Sequence, residues 1–421
     1  MRRALFFVWA IIISGFCWTE DADAYAWMIR HDYTACSTCH TDPSGGELLT
    51  TYGRVTSDLI LSMQYGTSDE VDEPDDESSE ADFGGPTGGL FWGLVDLPSS
   101  LLLSGAYRSL SVIRPSKDAA STFIPVMQAD AYGQFRAGDF TVGGSIGLGK
   151  AIPGASHTLK AQVTTNTDGL NLVARNYYAG YDLGSEFVVR AGRLNLPFGV
   201  RIPEHTAWVR EATRTDRESD QQHGLSVAYV GANFRAEIMA IAGNFQMSLK
   251  PELPYQNFKS NAVRERGYSM YAEGIAGTSF AAGVTSKVTF SQLDHVTFEE
   301  DSLRQAHGLT ARYAPFEKLS FLGETDVLFR TNADAGYVGF AQADWEPIQG
   351  LHLMLTGEFL DAGMEFEDGA QQEPKPGAGK ARGGGWLSLD WFFYRQMEFR
   401  TDLILRQDAP TTILGQFHMY L

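Results

Sequence analysis

Residues 397–406 read Met-Glu-Phe-Arg-Thr-Asp-Leu-Ile-Leu-Arg, an alternation of apolar and polar side chains that is broken only at Ile404. Successive side chains of a β-strand point to opposite faces of the sheet, so this period of two predicts a strand with one apolar and one ionic face. The same alternation occurs in residues 318–329 and 350–361. The chain from about residue 90 to Leu421 is therefore predicted to be all-β.

The lengths of the connections distinguish a membrane barrel from a soluble sandwich. Short turns alternate with longer loops along this part of the chain, as in bacterial barrels with short periplasmic turns and long external loops. We therefore predict a transmembrane antiparallel β-barrel of about 16 strands over residues 90–421, located in the outer membrane with its apolar face toward the lipid bilayer. One strand is predicted over 186–200, before a long loop at 201–222. Tight turns are predicted near Gly138, Gly184, Gly231, Gly277, Pro315, Pro347 and Arg395.

The N-terminus has the features of an export signal. Arg2 and Arg3 precede an apolar run over 4–16, and Ala24-Tyr25-Ala26 fits the small-x-small cleavage rule. Residues 1–26 are thus predicted to be a signal peptide, with Trp27 as the mature N-terminus. The apolar run is too short for a transmembrane helix. A lipid anchor at Cys17 is disfavoured, because a small residue is expected where Phe16 stands.

Two further segments precede the predicted barrel. Residues 27–66 form a small segment of their own, and residues 67–89 read as an acidic, Gly-rich linker. The formal net charge of −19 argues against a nucleic-acid partner, whose phosphates would be repelled. The chain has three cysteines, and after removal of Cys17 with the signal only Cys36 and Cys39 remain.

The sequence Cys36-Ser37-Thr38-Cys39-His40 predicts covalent attachment of one haem c. Two thiols at this spacing can meet the two vinyl groups of a haem, and His40 follows as the proximal iron ligand. A disulfide or a thioredoxin-like dithiol is the alternative, but the βαβ context of the latter is not apparent.

The distal side of the predicted haem is less constrained by the sequence. The nearby candidates are His31, Met28 and Met63, with His31 preferred, and an open site is a further alternative. A His ligand would lower the reduction potential and a Met ligand would raise it. Three side chains are expected to pack on the porphyrin, namely Leu48, Leu49 and Tyr52. Arg54 is expected either to approach a propionate or to be a solvated surface charge.

The whole layout resembles the fused monohaem cytochrome c–porins of iron-oxidising bacteria. The resemblance implies electron transfer at or across the outer membrane, between an external donor or acceptor and a periplasmic electron carrier. Iron-oxidising members have Pro-x-Leu-Asn shortly after the haem His, whereas residues 42–48 here read Asp-Pro-Ser-Gly-Gly-Glu-Leu. This departure weakens iron oxidation in particular and leaves electron transfer standing. Separately, residues 190–199 resemble a strand-to-loop signature of phosphate-type porins, so the loop at 201–222 is expected to fold inward.

Three hypotheses about function follow from the sequence. The sequence also leaves open whether the chain is an extracellular metal-ion oxidoreductase or an electron-transfer protein only. The first is a cytochrome that accepts electrons from outside, for which the sequence suggests a cationic donor such as ferrous iron. The alternative is a solute porin whose haem segment is a plug or redox-sensitive gate; peroxide chemistry at an open haem is a third. The cationic donor rests on predicted carboxylates of the lumen and loops: Glu324, Asp326, Glu358, Glu398, Asp402, Glu299, Glu300, Asp301, Glu365, Glu367 and Asp368.

Overall fold

The architecture comes from a computed structural model of the chain. It describes residues 26–46, 48–63, 95, 97–115, 121–123, 126–150, 170–204, 206–216, 220–243, 265–291, 302–331, 333–363, 366–367, 370–371, 380–407 and 409–420. The predicted signal peptide, up to residue 25, and the predicted linker at 67–89 lie outside these residues. So do the loop carboxylates Glu299, Glu300, Asp301, Glu365 and Asp368.

Within the described residues, sixteen antiparallel strands form one closed barrel. Two of them have two segments each, β2 and β4. The strands are β1 Leu101–Arg114, β2 Ser121–Phe123 and Val126–Ala137, β3 Phe140–Lys150, β4 Leu170–Val173 and Tyr177–Leu183, β5 Phe187–Leu194, β6 Gln222–Val230, β7 Phe234–Gly243, β8 Glu265–Ala276, β9 Phe280–Ser291, β10 Ser302–Phe316, β11 Leu319–Arg330, β12 Gly336–Ile348, β13 Leu351–Asp361, β14 Arg382–Tyr394, β15 Met397–Arg406 and β16 Thr412–Tyr420. The barrel closes where β1 pairs with β16, with Arg108 opposite His418.

The predicted fold class and strand number are confirmed, and the differences are local. Pro315 and Pro347 lie inside β10 and β12, and the turns follow at residues 317–318 and 349–350. The pairing register shifts beside each of these prolines, which is where a residue without a backbone N–H is tolerated in a sheet. The strand predicted over 186–200 ends at Leu194, because the chain there leaves the wall and enters the lumen.

The two faces of the wall differ as predicted. The outer face carries exposed apolar side chains, such as Leu355 at 63% and Leu405 at 53% exposure. The inner face carries buried polar side chains, and Glu398 and Asp402 are each only 6% exposed. An apolar surface of this extent needs lipid around it, so the barrel has a lipid-facing exterior and a polar lumen.

Two segments fill part of the lumen. The first, here called the plug segment, is residues 26–63, with a 3₁₀-helix at Ala26–His31, helix α1 at Thr51–Thr56 and a π-helical turn at Ser57–Leu61. The second, here called the inward loop, is residues 195–221 and contains helix α2 at Trp208–Thr213. A short ribbon pairs Phe366–Glu367 with Ala370–Gln371. Among the described helices, none is long and apolar enough to cross a membrane.

Candidate functional site in the barrel lumen

The CxxCH turn is held by backbone hydrogen bonds within the plug segment. The His40 N–H donates to the Cys36 carbonyl at 2.9 Å, which closes the turn between the two thiols. The Thr50 N–H donates to the Cys39 carbonyl at 2.8 Å, and the Thr50 side chain accepts from the Gly53 N–H at 3.0 Å. Thr50 is thus the N-cap of α1, and it fixes that helix directly against Cys39.

Two glycines allow the turn to pack this closely. A Cβ on Gly53 would lie 2.3 Å from the Cys39 carbonyl oxygen, a distance that real Cβ atoms do not show. Gly45 has a φ of +89°, and a Cβ there would lie 3.0 Å from the Cβ of Cys36. The backbone around both cysteines is therefore shaped by positions that only glycine can occupy without strain.

The start of the plug segment is tied to strands β12 and β13. Arg30 donates from Nη1 to Asp344 Oδ2 at 2.9 Å, and its Nε lies 3.0 Å from Glu346 Oε2. Its Nη2 lies 2.7 Å from His352 Nδ1, and the Trp27 ring packs on the His352 ring at 4.3 Å between centroids. Arg30 and Asp344 have fully buried side chains, so each charge depends on the other for compensation.

Asp42 forms the second anchor, two residues after His40. Its carboxylate accepts from Arg190 Nη2 at 3.2 Å and from Asn195 Nδ2 at 3.1 Å, and it also accepts from the Ser44 N–H and hydroxyl at 2.9 Å each. Burial raises the pKa of Asp42, but the cations Arg190 and Arg201 outweigh burial and hold that pKa at about 2. Asp42 is therefore a carboxylate at neutral pH.

A third group of contacts surrounds Cys36. Arg235 Nη1 lies 3.5 Å from Cys36 Sγ, and Arg235 also pairs with Glu273. Arg312 pairs with the same Glu273 and donates from Nη2 to the Thr34 carbonyl at 2.9 Å. The chain leading into the CxxCH turn is thereby fixed to the inner wall on strands β7, β8 and β10.

The end of the plug segment lies at the short-turn mouth of the barrel. Gln349, in the turn between β12 and β13, donates to the Leu59 carbonyl at 2.7 Å and to the Ser62 carbonyl at 2.9 Å. The Met63 N–H donates to the Phe392 carbonyl at 2.9 Å, near the end of β14. Short turns face the periplasm in bacterial barrels, so the end of the plug segment lies at the periplasmic mouth of the lumen.

Cys39 and His40 border a cavity that opens beside the plug segment. Apolar side chains of the plug segment contribute one side, and cationic side chains of the wall and inward loop contribute another. The residues that matter for its chemistry are Met28, Leu49, Leu61, Arg108, Arg175, Arg201, His418 and Tyr420. An apolar cavity with a few converging cations is suited to a flat amphipathic ligand that carries carboxylates.

Some of the residues that the sequence predicted to contact the haem border this cavity, and others do not. Cys39, His40, Met28 and Leu49 border it, whereas His31, Met63, Arg54 and Tyr52 do not. His31 Nε2 instead lies 3.2 Å from Glu346 Oε2. Arg54 donates to the Leu103 carbonyl of β1 and is buried, so it is not the solvated surface charge of the second alternative, and its approach to a propionate stays a prediction. Tyr52 is 50% exposed and Leu48 is buried against another part of the wall.

The sequence reasoning missed the cavity residues contributed by the barrel. Arg108 lies on β1, Arg175 between the two segments of β4 and His418 on β16, each more than fifty residues from the CxxCH motif. The available signal was the alternation itself, which puts His418 on the polar face of the last strand, between the apolar neighbours Phe417 and Met419. That signal marks an inward position without indicating which inward residues meet the plug segment.

The inward loop folds across the lumen as expected. Arg210 of α2 pairs with Glu324, and the Trp208 N–H donates to Glu358 Oε2 at 3.0 Å. Glu204 accepts from Arg400 Nη2 at 2.6 Å. The loop is therefore bound to strands on the opposite wall by charged hydrogen bonds.

These contacts concern the carboxylates that the sequence predicted to line the lumen. Glu324 pairs with Arg210, Glu358 with Arg406, Asp402 with Arg400, and Glu398 with His418. A buried charge is retained only where it is compensated, and here the compensation comes from other side chains of the protein. The pairing removes the support that these four residues gave to a cationic donor, which stays a prediction; the fifth carboxylate, Asp326, is buried as well.

A second cavity adjoins the inward loop and is called the vestibule here. Four cationic side chains and the carboxylate of Glu211 line it, together with the apolar Trp208, Leu328 and Leu360. The cations are Arg214, Lys287, Arg304 and Arg330. Lys287 Nζ donates to the Thr213 carbonyl at 3.1 Å, so part of this charge also supports α2.

No protein-family model matches the chain, and no curated protein sequence matches it. Solved outer-membrane barrels share its fold. The OmpT loop-deletion mutant OmpTΔL8 of Vibrio cholerae aligns over 76% of this chain and 99% of its own, with a TM-score of 0.52 and 10% identity. OmpF of Salmonella typhi, in complex with daunomycin, aligns over 76% and 97%, with a TM-score of 0.53 and 11% identity.

The anion-selective porin from Comamonas acidovorans aligns over 76% of this chain and 99% of its own, with a TM-score of 0.51 and 12% identity. At these identities the likeness concerns the fold of the barrel and carries no information about the CxxCH segment. The chain thus has the closed sixteen-strand fold of outer-membrane porins, in agreement with its lipid-facing exterior and with the predicted location in the outer membrane.

Proposed function

We propose that this protein is a monohaem c-type cytochrome built into an outer-membrane barrel, which transfers electrons between an external partner and a periplasmic carrier. The observation that carries the proposal is the cavity beside Cys39 and His40, inside the lumen. A CxxCH motif on an exposed loop would have no such space beside it.

The residues around this cavity fit a haem c. Cys36 and Cys39 would hold it through thioethers, and the His40 imidazole would be its proximal iron ligand. Met28, Leu49 and Leu61 offer apolar contacts to a porphyrin, and Arg108, Arg175 and Arg201 offer charged hydrogen bonds to its propionates. Once bound, haem supplies a one-electron Fe(III)/Fe(II) couple, while the chain supplies position, exclusion of water and tuning.

The position of the cavity indicates the kind of partner on each side. A periplasmic carrier at the short-turn mouth would come close to the plug segment, because that segment reaches the turn residue Gln349. An external partner would have to enter the lumen, since the hydrocarbon core of a bilayer is about 30 Å thick. The external partner is therefore a small molecule or ion.

The charges of the vestibule favour an anionic external partner. Four of the carboxylates that suggested ferrous iron are paired, whereas the vestibule brings together Arg214, Lys287, Arg304 and Arg330 with a single carboxylate, Glu211. A basic vestibule raises the local concentration of anions, such as a carboxylate-chelated metal or an organic acid. Ferrous iron as a free cation is the competing hypothesis from the sequence.

The alternative function is a solute-conducting porin in which the plug segment is a gate. The solved structures favour this alternative, because they include an anion-selective porin and match the barrel alone. The two proposals differ in what the lumen must do: a cytochrome works with the plug segment in place, whereas a porin conducts only when the segment moves.

Expression in a host with cytochrome c maturation tests the proposal. The wild type should gain the mass of one haem and keep its haem stain after denaturation, and Cys36→Ala with Cys39→Ala should abolish both. Oriented proteoliposomes then compare ferrous chloride with ferrous citrate as the external donor. Haem reduction from outside without solute leakage supports electron transfer. Free passage of small solutes through a wild type that carries no haem would establish the porin instead.

A further inference from the structure

Among the described residues, two imidazoles border the cavity next to the CxxCH turn. One belongs to His40 in the plug segment. The other belongs to His418 in β16, nearly four hundred residues later in the chain. Cys39 borders the same cavity as both histidines, and Cys36 precedes it by one turn, which makes the second histidine relevant to the iron of a haem attached at this motif.

His418 is held by a carboxylate on the neighbouring strand. Its Nδ1 lies 3.1 Å from Glu398 Oε2, and its side chain is 12% exposed. The strand register puts Glu398 of β15 and Arg108 of β1 on either side of His418, so the three polar groups form one row across the inner wall. The row lies at the seam where the barrel closes.

This arrangement matches a metal-binding histidine. A ligating imidazole usually donates its second ring N–H to a carboxylate or a carbonyl, which fixes the tautomer and the orientation of the ring. When Nδ1 of His418 donates to Glu398, the lone pair of the ring is on Nε2. The carboxylate also increases the basicity of that nitrogen, which favours an oxidised metal.

Resting on the proposed haem attachment, we infer that His418 is the distal ligand of the haem iron, opposite His40. The axial pair then joins the plug segment to the last strand of the barrel. The iron would be low-spin with two imidazole ligands, a pair that gives a lower potential than His/Met ligation.

The other candidates are less well positioned. His31 lies outside the cavity and contacts Glu346, and Met63 is bound through its backbone to Phe392 at the rim. Met28 borders the cavity and is the remaining rival. A Met28 ligand would differ from His418 in potential and in spectrum, so the two assignments can be separated by measurement.

The experiment uses the haem-loaded full-length protein in detergent. The ferric wild type should give the optical and electron paramagnetic resonance spectra of bis-imidazole low-spin haem. His418→Ala should convert most of the haem to the high-spin form, and added imidazole should restore the low-spin spectrum. His31→Ala, as the matched control, and Met28→Leu should leave the spectrum unchanged.

Two further variants cover the case in which His418→Ala assembles poorly. His418→Met should keep the iron low-spin but introduce the sulfur-to-iron charge-transfer band of His/Met ligation and raise the potential. Glu398→Gln should stay low-spin and raise the potential, because the ring loses its anionic partner. If the wild type shows a sulfur-to-iron band and Met28→Leu removes it, the distal ligand is Met28. That result would overturn the inference but not the proposed haem attachment. Absence of haem from the wild type would instead refute the proposed function.

Discussion

Arg201 of the inward loop donates hydrogen bonds to both oxygens of Ser44 in the plug segment, from Nε to the carbonyl at 3.1 Å and from Nη2 to the hydroxyl at 2.5 Å. Arg201 also borders the cavity next to His40. The two segments that occupy the lumen therefore hold each other as well as the wall. A change in the inward loop, on the external side, can in this way reach the CxxCH turn.

Removal of the Asp42 charge should weaken the docking of the plug segment and change its pH dependence. The pKa of Asp42 is about 2 in the docked state, against 3.8 for an unperturbed aspartate. The docked state binds fewer protons, so this stabilisation is complete above about pH 4 and is lost as the pH falls toward 2. The lowered pKa of Asp42 corresponds to about 2 kcal/mol of stabilisation of the docked state.

The measurement is the conductance of single barrels in planar bilayers from about pH 7 down to about pH 2, a range that includes the protonation of Asp42. The wild type should conduct more as Asp42 becomes protonated, and Asp42→Asn should be more open throughout, with a smaller acid step. Asp182→Asn is the control, since Asp182 pairs with the exposed Arg136 at the barrel rim. An unchanged acid step in Asp42→Asn would contradict the assignment of that step to Asp42.

Arg30→Met should undock the start of the plug segment. The substitution leaves Asp344 and Glu346 buried without their cation, a loss that costs about 3–5 kcal/mol. Arg136→Met removes an exposed pair and should cost about 0–1 kcal/mol. Limited proteolysis from the periplasmic side should then cut the plug segment of Arg30→Met much faster than that of Arg136→Met. Equal cleavage rates would mean that the Arg30 cluster does not hold the segment.

Gly53→Ala should displace α1 from the CxxCH turn. The added Cβ would overlap the Cys39 carbonyl, and overpacking of this kind costs about 1–3 kcal/mol. Gly357→Ala is the matched control, because a Cβ there would meet nothing within 4 Å. Limited proteolysis should cut the plug segment of Gly53→Ala faster than that of the wild type, whereas Gly357→Ala should match the wild type. Equal cleavage rates for all three proteins would show that the helix can move without cost.

The barrel could be predicted because its determinants are local. Alternating side chains and turn residues occur within a few positions of one another, as in residues 397–406, and they fix both the strand and the face it presents to lipid. The CxxCH motif is local for the same reason, since one turn must present two thiols and an imidazole. Even so, β5 ends earlier than its pattern suggests, because Asn195 turns inward to reach Asp42.

The remainder of the site depends on pairings that no local pattern encodes. Arg30 and Asp344 are 314 residues apart, and nothing near either one indicates the other. Glu324 looked free in the sequence, because its partner Arg210 comes from the distant inward loop. His418 could be assigned to an inward face, but its place at the cavity follows only from the closure of β1 on β16.

Charge reversal in the vestibule should change the ion selectivity of the lumen. Lys287 and Arg304 lie in this cavity with Arg214 and Arg330, so Lys287→Glu with Arg304→Glu should shift the reversal potential toward cation preference. Lys318→Glu is the control, because Lys318 is at the short-turn mouth. Salt should screen the difference, since the Debye length falls from about 10 Å at 0.1 M to about 3 Å at 1 M. An unchanged reversal potential in the double variant would mean that ions do not pass through the vestibule.

Cys36 and Cys39 are 7% and 4% exposed in the finished barrel, behind a wall that closes on itself. The wall closes around these two thiols, so an attachment enzyme of protein size cannot come close to them in the assembled barrel. Under the proposed haem attachment, the haem is therefore joined to the chain before the barrel closes, while the exported chain is still open in the periplasm. A chain whose barrel closes around unmodified thiols would then stay without haem.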